Sequence, residues 1–409
     1  MAIASDLSDG AEGSGRAEGR VGVAKGAQCV RWRPFAHLEA DLGLLSSVGQ
    51  RRTLERLNGY DFTSNDYLGL AQSIELRDAA QDAVSRRAPV GAGGSRLLRG
   101  NHEEHEALEH AAAAYFRAES ALYFGSGFAA NMTLFATAPQ RGDLVVHDEW
   151  IHASVHEGLR RTRAETAVAR HNEVQAIDDV IVAWRASGGV GRVWIAVESL
   201  YSMDGDGPDL RELDDLATRR EAVLVVDEAH ATGVLGPGGR GRAAFLEGHE
   251  NVVTVHTCGK ALGTAGALVC GSRVLKDFLV NRGRAFIYST APSPLVAGVT
   301  RAAIALCERS DARRVALGRR VDCATQALSL HCGLASSGSH IVPIIVGADG
   351  AAVELAARLR TLGFDVRAIR PPTVPVGTAR LRVALTLNVT EAAVESLFQL
   401  LGAVMMTTK

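Results

Sequence analysis

The sequence predicts an α/β protein with a mostly parallel central sheet in a large domain, followed by a smaller C-terminal α+β domain. Three observations predict it. Short aliphatic runs recur through the middle of the chain, helical stretches separate them, and the pattern changes after Pro292-Ser-Pro294. Residues 1–27 are rich in Gly, Ala and Ser without an apolar period, and read as a disordered tail. An amphipathic helix is expected from about Trp32 to Leu57 and a short strand near Tyr60–Phe62, so that 28–64 form an N-terminal arm.

The large domain is expected over 65–294. Its strand candidates are Ala121–Tyr123, Leu144–Val146, Val193–Val197, Val223–Val226, Val252–Val255 and Ala267–Val269. Val223–Val226 is apolar at every position, which suits a parallel strand covered on both faces. Helices are expected at Glu103–Arg117 and Leu210–Arg220. Residues 295–409 read as the smaller domain. An Ala- and Arg-rich helical region runs to about Leu330. Strands follow near Ile341–Val346 and Leu381–Ala384, with helices near Ala351–Leu362 and Glu391–Leu401.

The chain has 409 residues, 47% of them hydrophobic, and a formal net charge of −2. That balance argues against nucleic acid or an anionic membrane as the main partner. No apolar run approaches the ~20 residues that span a bilayer. The first residues lack the charged-then-apolar order of a secretory signal. Six cysteines without a CxxC pair fit free thiols in a reducing compartment, and a cytoplasmic protein is expected. Of 44 basic residues only Lys25, Lys260, Lys276 and Lys409 are lysine. A lysine in an unusual place is therefore informative.

Two constellations carry most of the chemistry. In Val-Leu-Val-Val-Asp227-Glu-Ala-His230 an acidic residue stands just past an apolar strand, where ligands bind in open α/β sheets. It reads either as a helix N-cap or as an anion that keeps a pyridinium nitrogen protonated. In Val-Val-Thr-Val-His256-Thr257-Cys-Gly-Lys260, the lysine follows another apolar strand in a glycine-rich turn. It either snorkels to solvent or is buried. Burial lowers a lysine pKa and favours the free amine that Schiff-base chemistry needs. The 33 residues between Asp227 and Lys260 fit one strand–helix–strand unit. An acid for the ring nitrogen and a lysine for the aldehyde, on separate strand ends, are the division of labour in pyridoxal enzymes.

Gly125-Ser126-Gly127-Phe128-Ala-Ala-Asn reads as a strand, a glycine turn and a helix start. It is either a tight turn or a phosphate-binding N-terminus. His152, in Trp150-Ile-His152-Ala-Ser154, is either structural or placed to stack on a cofactor ring. Gly236-Pro-Gly238-Gly-Arg-Gly241 fits GxGxxG but lies too far past its strand for a dinucleotide site. His102-Glu-Glu-His105 lacks metalloprotease spacing and reads as the charged start of a helix, so no metal is expected.

As a set these motifs resemble the α-oxoamine synthases. Thr63-Ser-Asn65-Asp-Tyr67-Leu-Gly69-Leu resembles their N-terminal signature. So do Gly91-Ala-Gly-Gly-Ser-Arg, Ser202-Met-Asp-Gly-Asp, Asp227-Glu-Ala-His-Ala-Thr-Gly and Thr257-Cys-Gly-Lys260. Ile369-Arg370-Pro-Pro-Thr373-Val-Pro, followed by Gly-Thr-Ala-Arg-Leu-Arg, is most similar to the biotin-pathway branch. The resemblance covers about residues 35–405. It implies fold type I of the pyridoxal 5'-phosphate enzymes, a homodimer with shared active sites, and decarboxylative condensation of an amino acid with an acyl-CoA. For the biotin branch the pair is L-alanine and a pimeloyl thioester.

By the same resemblance Lys260 is the Schiff-base lysine and Asp227 the partner of the pyridine nitrogen. His230 and Ser202 face the phenolic oxygen, and His152 stacks on the ring. Thr257, Gly127 and Phe128 contact the cofactor, and Tyr288, Ser289 and Thr290 reach the neighbouring subunit's phosphate. Asn65, Arg370 and Thr373 contact substrate. Catalytic roles fall to Lys260, as base at the amino acid's α-carbon, with Asp227, and with His230 or His152 giving up a proton. One departure stands out. The biotin branch often carries an acyl-binding arginine after the first helix, whereas Leu42–Ser47 has none before Arg51. A relative using glycine, serine or another acyl-CoA, an aminotransferase or lyase on this fold, and a non-catalytic binder are the alternatives.

Overall fold

A computed structural model describes residues 33–54, 56 and 58–407. The expected tail at 1–27, and Cys29, lie outside the described residues. The chain divides into two compact units, 1–52 and 53–409. In the first, helix α1 spans Ala36–Ser47 and buries none of its residues. It is shorter than the helix expected over 32–57. Gly49, in the left-handed region at φ +67°, ends it and donates its N–H to the Ser46 carbonyl at 3.1 Å.

In the second unit the elements begin β1 (Tyr60–Asp61), α2 (Ile74–Ser85), α3 (Glu103–Tyr115), β2 (Ser120–Phe124) and α4 (Gly127–Thr137). Next come β3 (Leu144–Asp148), α5 (Ala153–Leu159), β4 (Glu165–Ala169), α6 (Val174–Ala186), β5 (Val193–Glu198), α7 (Leu210–Arg219) and β6 (Ala222–Asp227). Then follow β7 (Val252–Thr257), β8 (Ala267–Gly271), α8 (Arg273–Arg282), α9 (Arg284–Ile287), α10 (Pro294–Glu308) and α11 (Asp311–Cys332). The chain closes with β9 (Ile341–Gly347), α12 (Asp349–Thr361), β10 (Phe364–Asp365), β11 (Arg367–Ile369), β12 (Ala379–Ala384) and α13 (Glu391–Thr407).

Seven strands form the central sheet in the order β2-β8-β7-β6-β5-β3-β4. β8 is antiparallel to both its neighbours, and the remaining pairs are parallel. Alternation explains the uniformly apolar strands. Ile195, Leu224 and Val226 pack with Ile181, Trp184 and Leu213 of α6 and α7 on one face. Ala196, Val225 and Val255 pack with Leu134, Phe135 and Leu279 of α4 and α8 on the other. Both faces are covered, so no strand needs a polar side.

β4 was not expected. Glu165, Thr166 and Val168 are exposed, as suits an edge strand without an apolar run. The strand–helix–strand unit expected between Asp227 and Lys260 is also corrected. Among its residues there is no α-helix, only two short 3-10 turns at Pro237–Gly239 and Ala244–Leu246. Gly236, Gly238, Gly239 and Gly241 all take positive φ there, which no right-handed helix accommodates. The helical region expected up to Leu330 is two helices, α10 and α11, broken at Arg309-Ser310. His102 caps α3, its Nδ1 accepting from the Glu104 N–H at 3.2 Å.

A second, antiparallel sheet of order β11-β12-β9 follows, and β1 pairs in parallel with β10. Helices α11 and α13 pack on it through the largest core cluster, which includes Leu328, Ile344, Leu381, Leu397 and Phe398. No helix among the described residues is long and apolar enough to cross a membrane.

Candidate active site

Because β8 alone runs backwards, β2, β3, β5, β6 and β7 all end on one rim of the sheet. A cleft of ≈ 420 Å³ opens there. Of the residues expected from sequence, Asn65, Gly127, Phe128, His152, Asp227, His230, Thr257 and Lys260 line it together. They come from the loop after β1, the start of α4, the loop after β3, and the ends of β6 and β7.

Asp227 closes β6 and accepts on both oxygens. The Ala229 N–H donates to Oδ1 at 2.9 Å and Asn131 Nδ2 donates to Oδ2 at 2.7 Å. No helix begins there, so the N-cap reading falls. Lys260 follows β7 in a turn closed by the Gly263 N–H donating to the Lys260 carbonyl at 2.9 Å. Burial drives its amine toward the neutral form against the Asp227 and Glu198 carboxyls, and Lys260 titrates at about 8.

Ser126 caps α4, its Oγ accepting the Ala129 N–H at 3.1 Å. The first-turn N–H groups at Gly127 and Phe128 have no acceptor within the helix, and both residues line the cleft. Gly127 has to be glycine, since a Cβ would stand 2.5 Å from Thr257 Cγ2. Thr257 Oγ1 donates to the Ala229 carbonyl at 3.2 Å. His152 lines the cleft, its Nδ1 2.7 Å from Ser154 Oγ. Buried His230 places Nδ1 2.6 Å from Tyr67 Oη. Burial, then the nearby Lys260 and Arg382 charges, hold His230 well below the usual imidazole range. Burial pushes the Tyr67 hydroxyl up to about 12.

Ser202, Thr290, Arg370 and Thr373 do not line the cleft within this chain. The Ser202 carbonyl accepts Arg382 Nε at 2.5 Å. Thr290 follows exposed Tyr288 and Ser289 after α9. Arg370 and Thr373 lie in the turn between β11 and β12, where the Thr373 N–H donates to the Arg370 carbonyl at 3.1 Å.

Sequence reasoning missed four residues. Asn131 and Ser154 connect Asp227 to His152, and Glu198 ends β5 beside Asp227. Arg382 donates from Nη2 to Asn65 Oδ1 at 3.0 Å. Asn131 had a signal: it lies four residues after Gly127, on the same helix face.

The set fits pyridoxal phosphate. It offers a carboxylate at one strand end, an amine near neutrality at the next, and a helix N-terminus beside the space Gly127 leaves open. The buried Glu198 Oε1 also has no hydrogen-bond partner among the described residues.

The comparisons with known proteins agree. Residues 58–401 match the model of the aminotransferase class I and II family. An 8-amino-7-oxononanoate synthase from Anaeromyxobacter dehalogenans is 40% identical over 384 residues, 90% of this chain and 94% of that protein. One from Chromobacterium violaceum is 40% identical over 345 residues, covering 84% and 88%. Among solved structures, a serine palmitoyltransferase from S. paucimobilis with a bound pyridoxal phosphate–myriocin adduct superposes with a TM-score of 0.81. It is 25% identical and covers 91% of this chain and 98% of its own. An 8-amino-7-oxononanoate synthase from Francisella tularensis superposes at 0.72, 26% identical, covering 86% and 98%. Fold, lysine site and relatives together place this chain in the aminotransferase class I and II family and, within it, among the α-oxoamine synthases, enzymes that use pyridoxal phosphate.

Proposed function

We propose that the protein condenses L-alanine with a pimeloyl thioester, releasing CO2 and CoA and giving 8-amino-7-oxononanoate for biotin synthesis, as a cytoplasmic homodimer. The names of its 40%-identical relatives support this reading. The observation that carries it is the Lys260 amine, brought to about 8, in the turn after β7, the strand that pairs with the one Asp227 closes.

Bound in the cleft, pyridoxal phosphate supplies an electron sink for the α-carbon of the amino acid. Asp227 holds the ring nitrogen, and Asn131 and the Ala229 N–H keep its carboxylate in place. His230 would serve the phenolic oxygen from the cleft wall, and Ser202, outside the cleft lining, would reach it only with a shift of its loop. Gly127, Phe128 and Thr257 hold the phosphate, joined by Thr290 from the partner subunit. Lys260, as a neutral amine, removes the α-proton. Asn65, backed by Arg382, holds the substrate carboxylate, and Arg370 and Thr373 complete the substrate site.

A screen of L-alanine, glycine and L-serine against pimeloyl, acetyl and palmitoyl thioesters, reading free thiol and CO2, tests the assignment. Alanine with the pimeloyl thioester is expected to react fastest. Turnover of a different pair alone would overturn the biotin assignment, and amino transfer without thiol release would overturn condensation itself. The serine palmitoyltransferase superposition, at TM-score 0.81, makes serine with a long acyl chain the second reading.

A further inference from the structure

We propose that Ser154 and Asn131 fix His152 in one neutral tautomer, with its proton on Nε2. His152 is then a stacking surface and hydrogen-bond donor, and not a source of protons.

The argument starts at Asp227. Its carboxylate can only accept, so the Asn131 amide must turn its NH2 toward it, at 2.7 Å. The same NH2 reaches Ser154 Oγ at 3.1 Å, so that oxygen is an acceptor there. Ser154 therefore keeps its own hydroxyl proton free to donate. The group in reach is His152 Nδ1, at 2.7 Å. A second donor meets the same nitrogen, the Ser154 backbone N–H at 3.2 Å. A protonated Nδ1 would oppose a backbone donor that cannot rotate away. Nδ1 is thus an acceptor, and the ring's single proton is on Nε2.

Asn131 cannot flip without setting its oxygen against Asp227. Its Oδ1 is buried with no partner among the described residues, and the amide keeps this orientation regardless. Ser154 and Asn131 are themselves buried, so water does not compete where those two meet, whereas the His152 ring is exposed at the cleft. The ionisable groups facing His152 are Asp227, Lys260, His156 and His230, and the Glu198 carboxyl faces its backbone N–H. Burial lowers the His152 imidazole, Asp227 opposes and Lys260 adds to the lowering, in the direction the hydrogen bonds require. The group placed to stack on the ring and the group at its nitrogen are thereby joined through two neutral side chains. Proton transfer falls to Lys260.

The tautomer rests on protein groups alone. Its meaning for catalysis rests on the proposed reaction, and the test reads the first without the second. Full-length protein labelled with 15N-histidine is studied by long-range 1H–15N correlation, first without added cofactor and then with pyridoxal phosphate. His152→Gln assigns the signal by its loss. The expected pattern is one neutral ring with Nε2 protonated from about pH 6 to about pH 9. Ser154→Ala, which leaves only the longer backbone N–H contact on Nδ1, is expected to raise the imidazole's titration point, and Ser154→Thr, which keeps the hydroxyl, to restore it. A wild-type ring protonated on Nδ1, or one that becomes imidazolium at the ordinary value, would overturn the proposal without any variant. So would a Ser154→Ala protein whose ring is unchanged.

Discussion

Glu198 and Asp227 are register partners at the ends of the adjacent parallel strands β5 and β6, and both line the same cleft. Two carboxyls so placed cannot both ionise without strong repulsion. Asp227 has donors on both oxygens, whereas Glu198 is buried with Oε1 unpartnered among the described residues. Burial first, and Asp227 second, hold the Glu198 carboxyl well above its usual range. Glu198→Gln, which mimics the protonated acid, is expected to keep kcat/KM within about threefold. Infrared difference spectra against this variant are expected to reveal a protonated-carboxyl band in the wild type at neutral pH. A large loss of activity together with no such band would contradict the assignment.

The lowered Lys260 value governs cofactor capture. Capture needs the neutral amine, so its rate is expected to rise with pH through about 8. At pH 7.5 about a quarter of the amine is neutral, against about one part in a thousand for an ordinary lysine. Stopped-flow absorbance of cofactor-stripped protein mixed with pyridoxal phosphate follows this directly. Lys260→Ala is expected to show no lysine-bound absorbance at any pH.

Asn65 stands between the cleft and the Arg382 guanidinium, which is itself nearly buried. Removing its amide takes away a hydrogen bond to a charged group, worth about 1.5–3 kcal/mol. Asn65→Ala is expected to raise KM for the amino acid by about 10–100-fold while KM for the thioester stays within about threefold. Steady-state kinetics with each substrate varied in turn separate these outcomes.

His171 links stability to pH. Burial alone would lower its imidazole, but hydrogen bonds to Asp148 at 2.8 Å and Asp206 at 3.1 Å outweigh it and lift the ring to about 9. A folded-state value above the unfolded ~6.5 means the stabilisation is complete below about pH 6.5 and disappears as pH rises through about 9. His171→Gln is expected to cost roughly 1–3 kcal/mol at pH 6 and little above pH 9.5. Urea unfolding of cofactor-free protein across that range measures it.

Much of the site was legible in sequence because its chemistry sits at strand ends, and apolar strands announce themselves. Asp227, Lys260 and the Gly125–Gly127 turn each follow such a run. Glu198 also ends one, but a glutamate there has no local pattern to separate it from a solvated residue. Ser154 and Asn131 lie inside quoted motifs, yet their partners are brought together only by the packing of α4 beside α5. Arg382 reads as one of two charges on β12. Only the fold shows it donating to Asn65, 317 positions away in sequence. The glycine-rich connection before β7 was misread because strand spacing alone does not say whether a helix fills the gap.

The lone backward strand, β8, has a consequence for biogenesis. Its neighbours present their carboxyl termini together only after this late segment has slotted between β2 and β7, bridging the earliest and latest parts of the sheet. A nascent polypeptide halted before residue 267 already holds the cleft-lining residues proposed to grip the vitamin, but neither Thr290 nor the scaffold that gathers them. Acquisition of colour during synthesis thus marks completion of the sheet.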